Sequence, residues 1–309
     1  YWGMAMANWE NEKRAKAFIK RASELQEKAT EQNQRYIQAQ ANYLDGEPKD
    51  AKKRKQELID DLEGIIQDYP ADIEARAILC VRLWQFGRSG LPIHSHQAVD
   101  AILQQIFAVN PMHPAHHYRI HLWDGKKAKV ALDSAAKLGH TAPGIAHMWH
   151  MPGHIYSKLK RWDDSAFAQE ASARTDHNYM ITRRVLPDRI HNYAHNNEWL
   201  CRNWMTLGRA HDALGMAQSL IANPRHPKLN TLSRGGRSAS YGRSRIFEVL
   251  RRYELWDKTL ELADTPYLAP TPKREEQLKR LRLLGQAHLG KKSLEGLQSV
   301  DVELATLLK

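Results

Sequence analysis

Between residues 68 and 227 one kind of punctuation keeps returning: Asp68–Asp72 reads DYPAD, Val109–Pro114 reads VNPMHP, His140–Gly144 reads HTAPG and Ala222–Pro227 reads ANPRHP. Each string closes one run of apolar residues at helical spacing and opens the next, because proline cannot continue a helix but suits its first turn. Milder, mid-pair turns also repeat, as LKRWDDSA at Leu159–Ala166, LGRAHDAL at Leu207–Leu214 and RYELWDKTL at Arg252–Leu260. Pro111 and Pro143 lie 32 residues apart. A period in the low thirties with two helices per unit predicts an all-α solenoid, in which each antiparallel pair buries its apolar face by stacking on the next.

The apolar periodicity places helices at about 10–26, 30–43, 49–69, 73–86, 96–109, 114–122, 126–138, 144–159 and 162–175. Further helices are expected at 188–205, 210–222, 243–253, 256–262, 273–289 and from 294 to the end, and the opening stretch also reads as a packed helix. A single helical-repeat domain over 1–309 follows, with N-terminal helices at 1–69, central histidine-rich repeats at 70–227, and a basic loop with closing helices at 228–309. No apolar run reaches bilayer-spanning length and no signal-peptide pattern appears, so a soluble chain is expected. Its first residue is Tyr1. The natural start is therefore expected upstream, which leaves cytoplasm and export both open.

Cys80 and Cys201 are isolated in sequence, which argues against a disulfide framework or thiolate metal site. The net charge of +11 is spread widely, with a modest concentration from Arg234 to Arg252. The string SRGGRSASYGRSR at Ser233–Arg245 reads as a solvated surface loop. Without a recognition motif or aromatic platform beside it, nucleic acid is not an expected partner.

Thirteen of the sixteen histidines fall between His94 and His195. Three pairs are spaced by four residues: His117 with His121, His150 with His154, and His191 with His195. Four-residue spacing puts both imidazoles on one helix face, where they can chelate a metal. His147 extends the second pair by one turn. His113, ahead of Pro114, is expected to cap its helix, and His94, His96, His177, His211, His226 and His288 read as loop or surface residues.

The unit opening Trp149-His-Met-Pro-Gly-His-Ile-Tyr156 carries the W-x2-L-G-x2-Y spacing of the tetratricopeptide repeat family, with Pro152 in the leucine place, and runs on to Ala166. The next carries Gly208 and Ala213 and ends at Asn223-Pro224. The chain resembles that family best over residues 70–227. It is also similar to a histidine-rich bacterial subgroup with HY-x2-H and HMP-x-HIY strings, here His117–His121 and His150–Tyr156. An insertion at 182–189 and irregularity at 85–96 depart from the pattern.

The resemblance implies that first helices line a concave groove. His147, His150 and His154 take the second, fifth and ninth places of their unit, which it assigns to that groove. Allowing a one-residue adjustment for the VNPMHP loop, His117 and His121 take the same fifth and ninth places one repeat earlier, and His191 and His195 are expected to take them one repeat later. Imidazoles on helices 8–10 Å apart can converge on one ion or a close pair. Imidazole ligation suits copper, zinc, iron or nickel and disfavours Mg²⁺ and Ca²⁺.

Glu198 and Asp124 are candidates to support these ligands, and Tyr118, Tyr156 and Tyr193 to donate to a bound oxygen species. Arg119, Arg183 and Arg184 are candidates to guide an anion, whereas Trp123, Trp149, Trp199 and Trp204 read as inter-helix packing. No GxSxG, P-loop, GxGxxG or HExxH string is present. Three readings follow: a histidine-ligated metalloenzyme with redox or hydrolytic chemistry, a groove that binds a protein or peptide partner without chemistry, and metal storage or delivery.

Overall fold

A computed structural model describes residues 1–8, 10–45, 50–190 and 192–308. All regular structure among them is helical. The chain divides between residues 137 and 138 into two compact units. The first contains α1 (Trp2–Ala7), α2 (Glu12–Glu24), α3 (Glu31–Asp45), α4 (Ala51–Asp68), α5 (Ile73–Gly87), α6 (His96–Val109) and α7 (His116–Asp124). Helix α8 (Leu132–Thr141) carries the division. The second unit contains α9 (Ala146–Lys158), α10 (Trp162–Arg183), α11 (Tyr193–Thr206), α12 (Ala210–Ala222), α13 (Ser238–Arg252), α14 (Trp256–Leu262), α15 (Arg274–Gly290) and α16 (Leu294–Leu308). Within each unit consecutive helices pack as adjacent pairs.

The turn chemistry sets many of these boundaries. Asp50, Asp72 and Ser95 each accept the first free backbone N–H groups of α4, α5 and α6. Such caps contribute about 1 kcal/mol each. Helices α6, α12 and α14 begin and end where the periodicity predicts. Helix α10 is two turns longer than expected, because no proline or glycine interrupts residues 176–183; it stops where Arg184 turns left-handed, at φ 51°. Helix α11 starts five residues late, since Asn192 is also left-handed, at φ 62°. Residues 128–131 form a 3-10 turn before α8.

In the first unit Leu58, Leu62 and Ile65 of α4 pack against Ala75 and Leu79 of α5 and Tyr36 of α3. In the second, Leu200 and Met205 of α11, Leu214 and Ile221 of α12, and Ile246 and Leu250 of α13 form the core. Cys80 and Cys201 are buried free thiols whose ionisation burial pushes up. No helix among the described residues is long and apolar enough to cross a membrane.

The segment Ser233–Arg245 is corrected by the structure. Its second half is the start of α13, with Ser238, Ala239, Gly242 and Arg243 buried. The small residues serve close packing. A Cβ on Gly242 would sit 2.5 Å from the Ala217 carbonyl oxygen and 2.9 Å from Leu220 Cβ, so glycine is what allows α13 to approach α12.

Candidate metal centre

On α9, His147, His150 and His154 follow one another by three and four residues and so share a face. Helix α9 also carries Pro152 in its interior. That ring has no N–H to give the carbonyl four residues back. Side chains of α10 supply donors to other α9 carbonyls: Ser165 Oγ donates to Gly153 O at 3.2 Å, Gln169 Nε2 to His150 O at 3.2 Å, and Ser172 Oγ to Ala146 O at 2.9 Å. Ser165, Gln169 and Ser172 are fully buried. Gly153 makes room for this row, since a Cβ there would lie 2.1 Å from Gln169 Nε2.

Gln169 determines the protonation of His150. Its Nε2 is spent on the His150 carbonyl, so its Oε1 faces His150 Nδ1, 2.7 Å away. An amide oxygen only accepts. His150 Nδ1 therefore carries the proton and donates, leaving the lone pair on Nε2. Only 1 % of His150 is exposed. Burial first, then the neighbouring His154, His195 and His147, pushes its pKa down to about 2, so the ring stays neutral.

The lone pair of His150 points into a cluster. One nitrogen from each of His150, His154 and His195 lies within 4.8 Å of the others. His154 Nε2 is 2.9 Å from His150 Nε2 and donates to it. The His195 ring, from α11, is 4.9 Å from that of His150. Trp199, one turn further along α11, stacks on His154 at 4.6 Å and meets His150 and His195 edge-on at 5.6 and 5.7 Å. The Arg202 guanidinium lies over that indole at 5.2 Å. Sequence alone suggests only inter-helix packing for Trp199 and no role for Gln169. The place of Trp199, four residues beyond His195, is a signal visible in the sequence; Gln169 carries none, because its relation to His150 exists only across two helices.

The six candidate ligands among the described residues are distributed over the two units. His147 approaches His150 with ring centroids 6.0 Å apart and is not part of the His150, His154 and His195 set. His191 lies outside the described residues. In the first unit the rings of His117 and His121 are 4.6 Å apart, and His121 stacks on Trp84 at 4.2 Å. His113 does act at the start of its helix: its Nδ1 accepts from Ala115 N and its Nε2 meets Glu74 Oε1. His116 is a fully buried structural residue, bonded to Ser134 Oγ and Pro111 O and stacked on Phe107 at 3.9 Å.

Several of the expected supporting residues are engaged elsewhere. Glu198 is buried in an ion pair with Arg245, with burial raising its pKa against the pull of Arg245 and Arg202. Arg119 binds Asp100 at 2.7 Å, and Trp123 donates to the same carboxylate. Tyr156 lies under the Arg161 guanidinium, 5.1 Å from its ring, and Tyr118 lies 5.9 Å from the His117 ring. Asp124 is half-buried at the end of α7, and Arg183 and Arg184 are exposed. Tyr193 accepts from Asn223 Nδ2 at 2.7 Å. Together with His195, Asp188, Asn230, Arg237 and Tyr241 it lines a cavity of about 350 Å³. His195 thus belongs both to the nitrogen cluster and to the wall of a space large enough for a small molecule.

Asp176 ends the polar row of α10 and accepts from Asn196 Nδ2 at 2.8 Å. Burial raises its pKa to about 6, partly offset by that bond. In the unfolded chain the carboxyl titrates near pH 4. Between about pH 4 and 6 the folded protein holds a proton that the unfolded chain has lost, so stability falls as pH rises through this window. Asp176→Asn is expected to abolish that fall and to raise stability at pH 7 by about 1–2 kcal/mol. Urea titrations at pH 4, 5, 6 and 7 read both effects. An unchanged slope contradicts the assignment.

Compared with known proteins, the chain matches no protein-family model and no curated sequence.

Proposed function

We propose that this chain is a transition-metal-binding protein of tetratricopeptide type, with His150, His154 and His195 as the ligands of one ion. The observation that carries this reading is the buried, neutral His150 whose Nε2 lone pair is held toward two further imidazoles by Gln169. Orientation of a ligating histidine through its other ring nitrogen is the usual supporting arrangement at metal centres. Three neutral nitrogen ligands suit zinc, copper or iron(II). They also leave a coordination position for water or substrate, as catalytic sites do. The cavity that His195 lines supplies space for such a molecule, which favours hydrolytic or redox chemistry over storage. Binding through both Nε2 atoms requires the His154 proton to move to Nδ1, a tautomer change without a change of charge.

Support for the repeat architecture comes from packing between alternate helices, α5 with α7, α11 with α13 and α13 with α15, in addition to that between neighbours. Stacked helix pairs produce that pattern.

Elemental analysis of untagged protein, purified without added metal or chelator and then titrated with Zn²⁺, Cu²⁺ or anaerobic Fe²⁺, is expected to give one ion per chain. Failure to retain or take up any of the three overturns the metal reading and leaves the histidines as a hydrogen-bonded lining of a groove for a peptide partner.

A further inference from the structure

The first unit holds a second feature that the histidines do not explain. A cavity of about 640 Å³, within the range of small-molecule sites, lies among α1, α2, α3, α4 and α5. Four cationic side chains line it, Arg54, Lys55, Arg82 and Arg88, together with the aromatic rings of Tyr43, Trp84 and Phe86. Among the described residues its one acidic lining residue, Glu12, is engaged by Lys16 at 2.9 Å.

Arg82 is the informative member. It is 5 % exposed, and its hydrogen-bond acceptors are all neutral. Nη1 donates to Gln85 Oε1 at 2.9 Å, and Nη2 to Gln40 Oε1 at 3.1 Å and to Met6 Sδ at 3.1 Å. Its Nε has no hydrogen-bond partner among the described residues. A guanidinium held out of water without a counter-charge is costly, and its charged form is disfavoured here by burial. An arginine kept at such a site suits a ligand that brings the missing anion, since its planar fork matches carboxylate and phosphate oxygens.

The other cations and the rings define the remainder of the ligand. Lys55 is held at the rim by Ser89 O and Oγ, at 2.8 and 3.0 Å, and lies 5.7 Å from the Phe86 ring. The Arg88 guanidinium lies 5.5 Å over Trp84, and that of Arg82 lies 5.6 Å over Tyr43. The pocket therefore offers positive charge with aromatic rings beside it. We propose that this cavity is a binding site for a small aromatic anion, with its carboxylate or phosphate on Arg82 and its ring among Tyr43, Trp84 and Phe86. The site lies wholly in the first unit and is independent of the metal reading.

Calorimetric titration of the full chain in the presence of a metal chelator tests it, using benzoate, phenyl phosphate, benzyl alcohol and inorganic phosphate as probes. At least one of the two aromatic anions is expected to bind saturably, and the neutral alcohol and inorganic phosphate at least about 10-fold more weakly, a difference of roughly 1.4 kcal/mol. Arg82→Gln is expected to weaken the bound aromatic anion by about 10-fold or more. Which anion binds distinguishes carboxylate from phosphate ligands. No saturation by either up to about 10 mM, equal binding of the alcohol or of inorganic phosphate, or unchanged affinity in a folded Arg82→Gln protein overturns the proposal. If Arg82→Gln does not fold, Lys55→Gln at the rim is read instead; about threefold weaker binding is expected, and unchanged affinity overturns the proposal.

Discussion

Replacing His150 with alanine is expected to weaken metal binding by more than about 100-fold while leaving helical content nearly intact. Loss of a supporting contact around a metal typically costs about 10–100-fold, and in the proposed centre His150 is the residue that both other imidazoles approach. Its ring is the only one of the three fully buried, and its Nε2 lone pair is fixed by a neighbour. Gln169→Leu isolates that last point. It keeps every ligand but removes the acceptor from His150 Nδ1, so the neutral ring is free to carry its proton on either nitrogen. An affinity loss of about 10–100-fold is expected, smaller than for His150→Ala. Competition titrations with a chromophoric zinc chelator, with circular dichroism as the check on folding, measure both. Wild-type affinity in folded His150→Ala protein is incompatible with the assigned centre.

Gly242→Ala is expected to destabilise the second unit by about 1–3 kcal/mol, the usual cost of inserting a methyl group into a closed interface. Alanine is the better helix former by about 1 kcal/mol, so the measured loss is the clash net of that gain. The obstacle is backbone, the Ala217 carbonyl oxygen at 2.5 Å, and backbone cannot rotate away as a flexible side chain can. Gly215→Ala on the facing helix is the matched control. It has nothing within 4 Å of its would-be Cβ and is exposed, so the same substitution is expected to stabilise by about 0.5–1 kcal/mol. Thermal melts of the two variants should move in opposite directions. A gain in both contradicts the close α12–α13 contact.

The close contact at Gly242 bears on how far a sequence can be read. Glycine and serine in Ser233–Arg245 suggest a loop because those residues are common where the chain is free. The same residues are also what a helix needs to approach another closely, and composition alone does not separate the two. Charged residues pose the same ambiguity. Arg119 and Glu198, which the sequence offers as candidates to serve a ligand, are committed to Asp100 and Arg245, partners 19 and 47 positions away.

Local chemistry is legible without coordinates. Period-3.6 apolar spacing, proline and asparagine at recurring intervals and acidic or serine caps depend on residues within one or two turns of each other. They suffice for an all-helical chain and for placing His147, His150 and His154 on one face of α9. Which histidines meet is not legible. His150 joins His154 and His195 because Gly153 lets α10 pack close enough for Gln169 to grip the ring, while Trp199 of α11 closes over the cluster. Spacing along one helix is set by the backbone, whereas convergence between helices depends on ångström-scale packing distances among residues remote in sequence, and those only the tertiary structure decides.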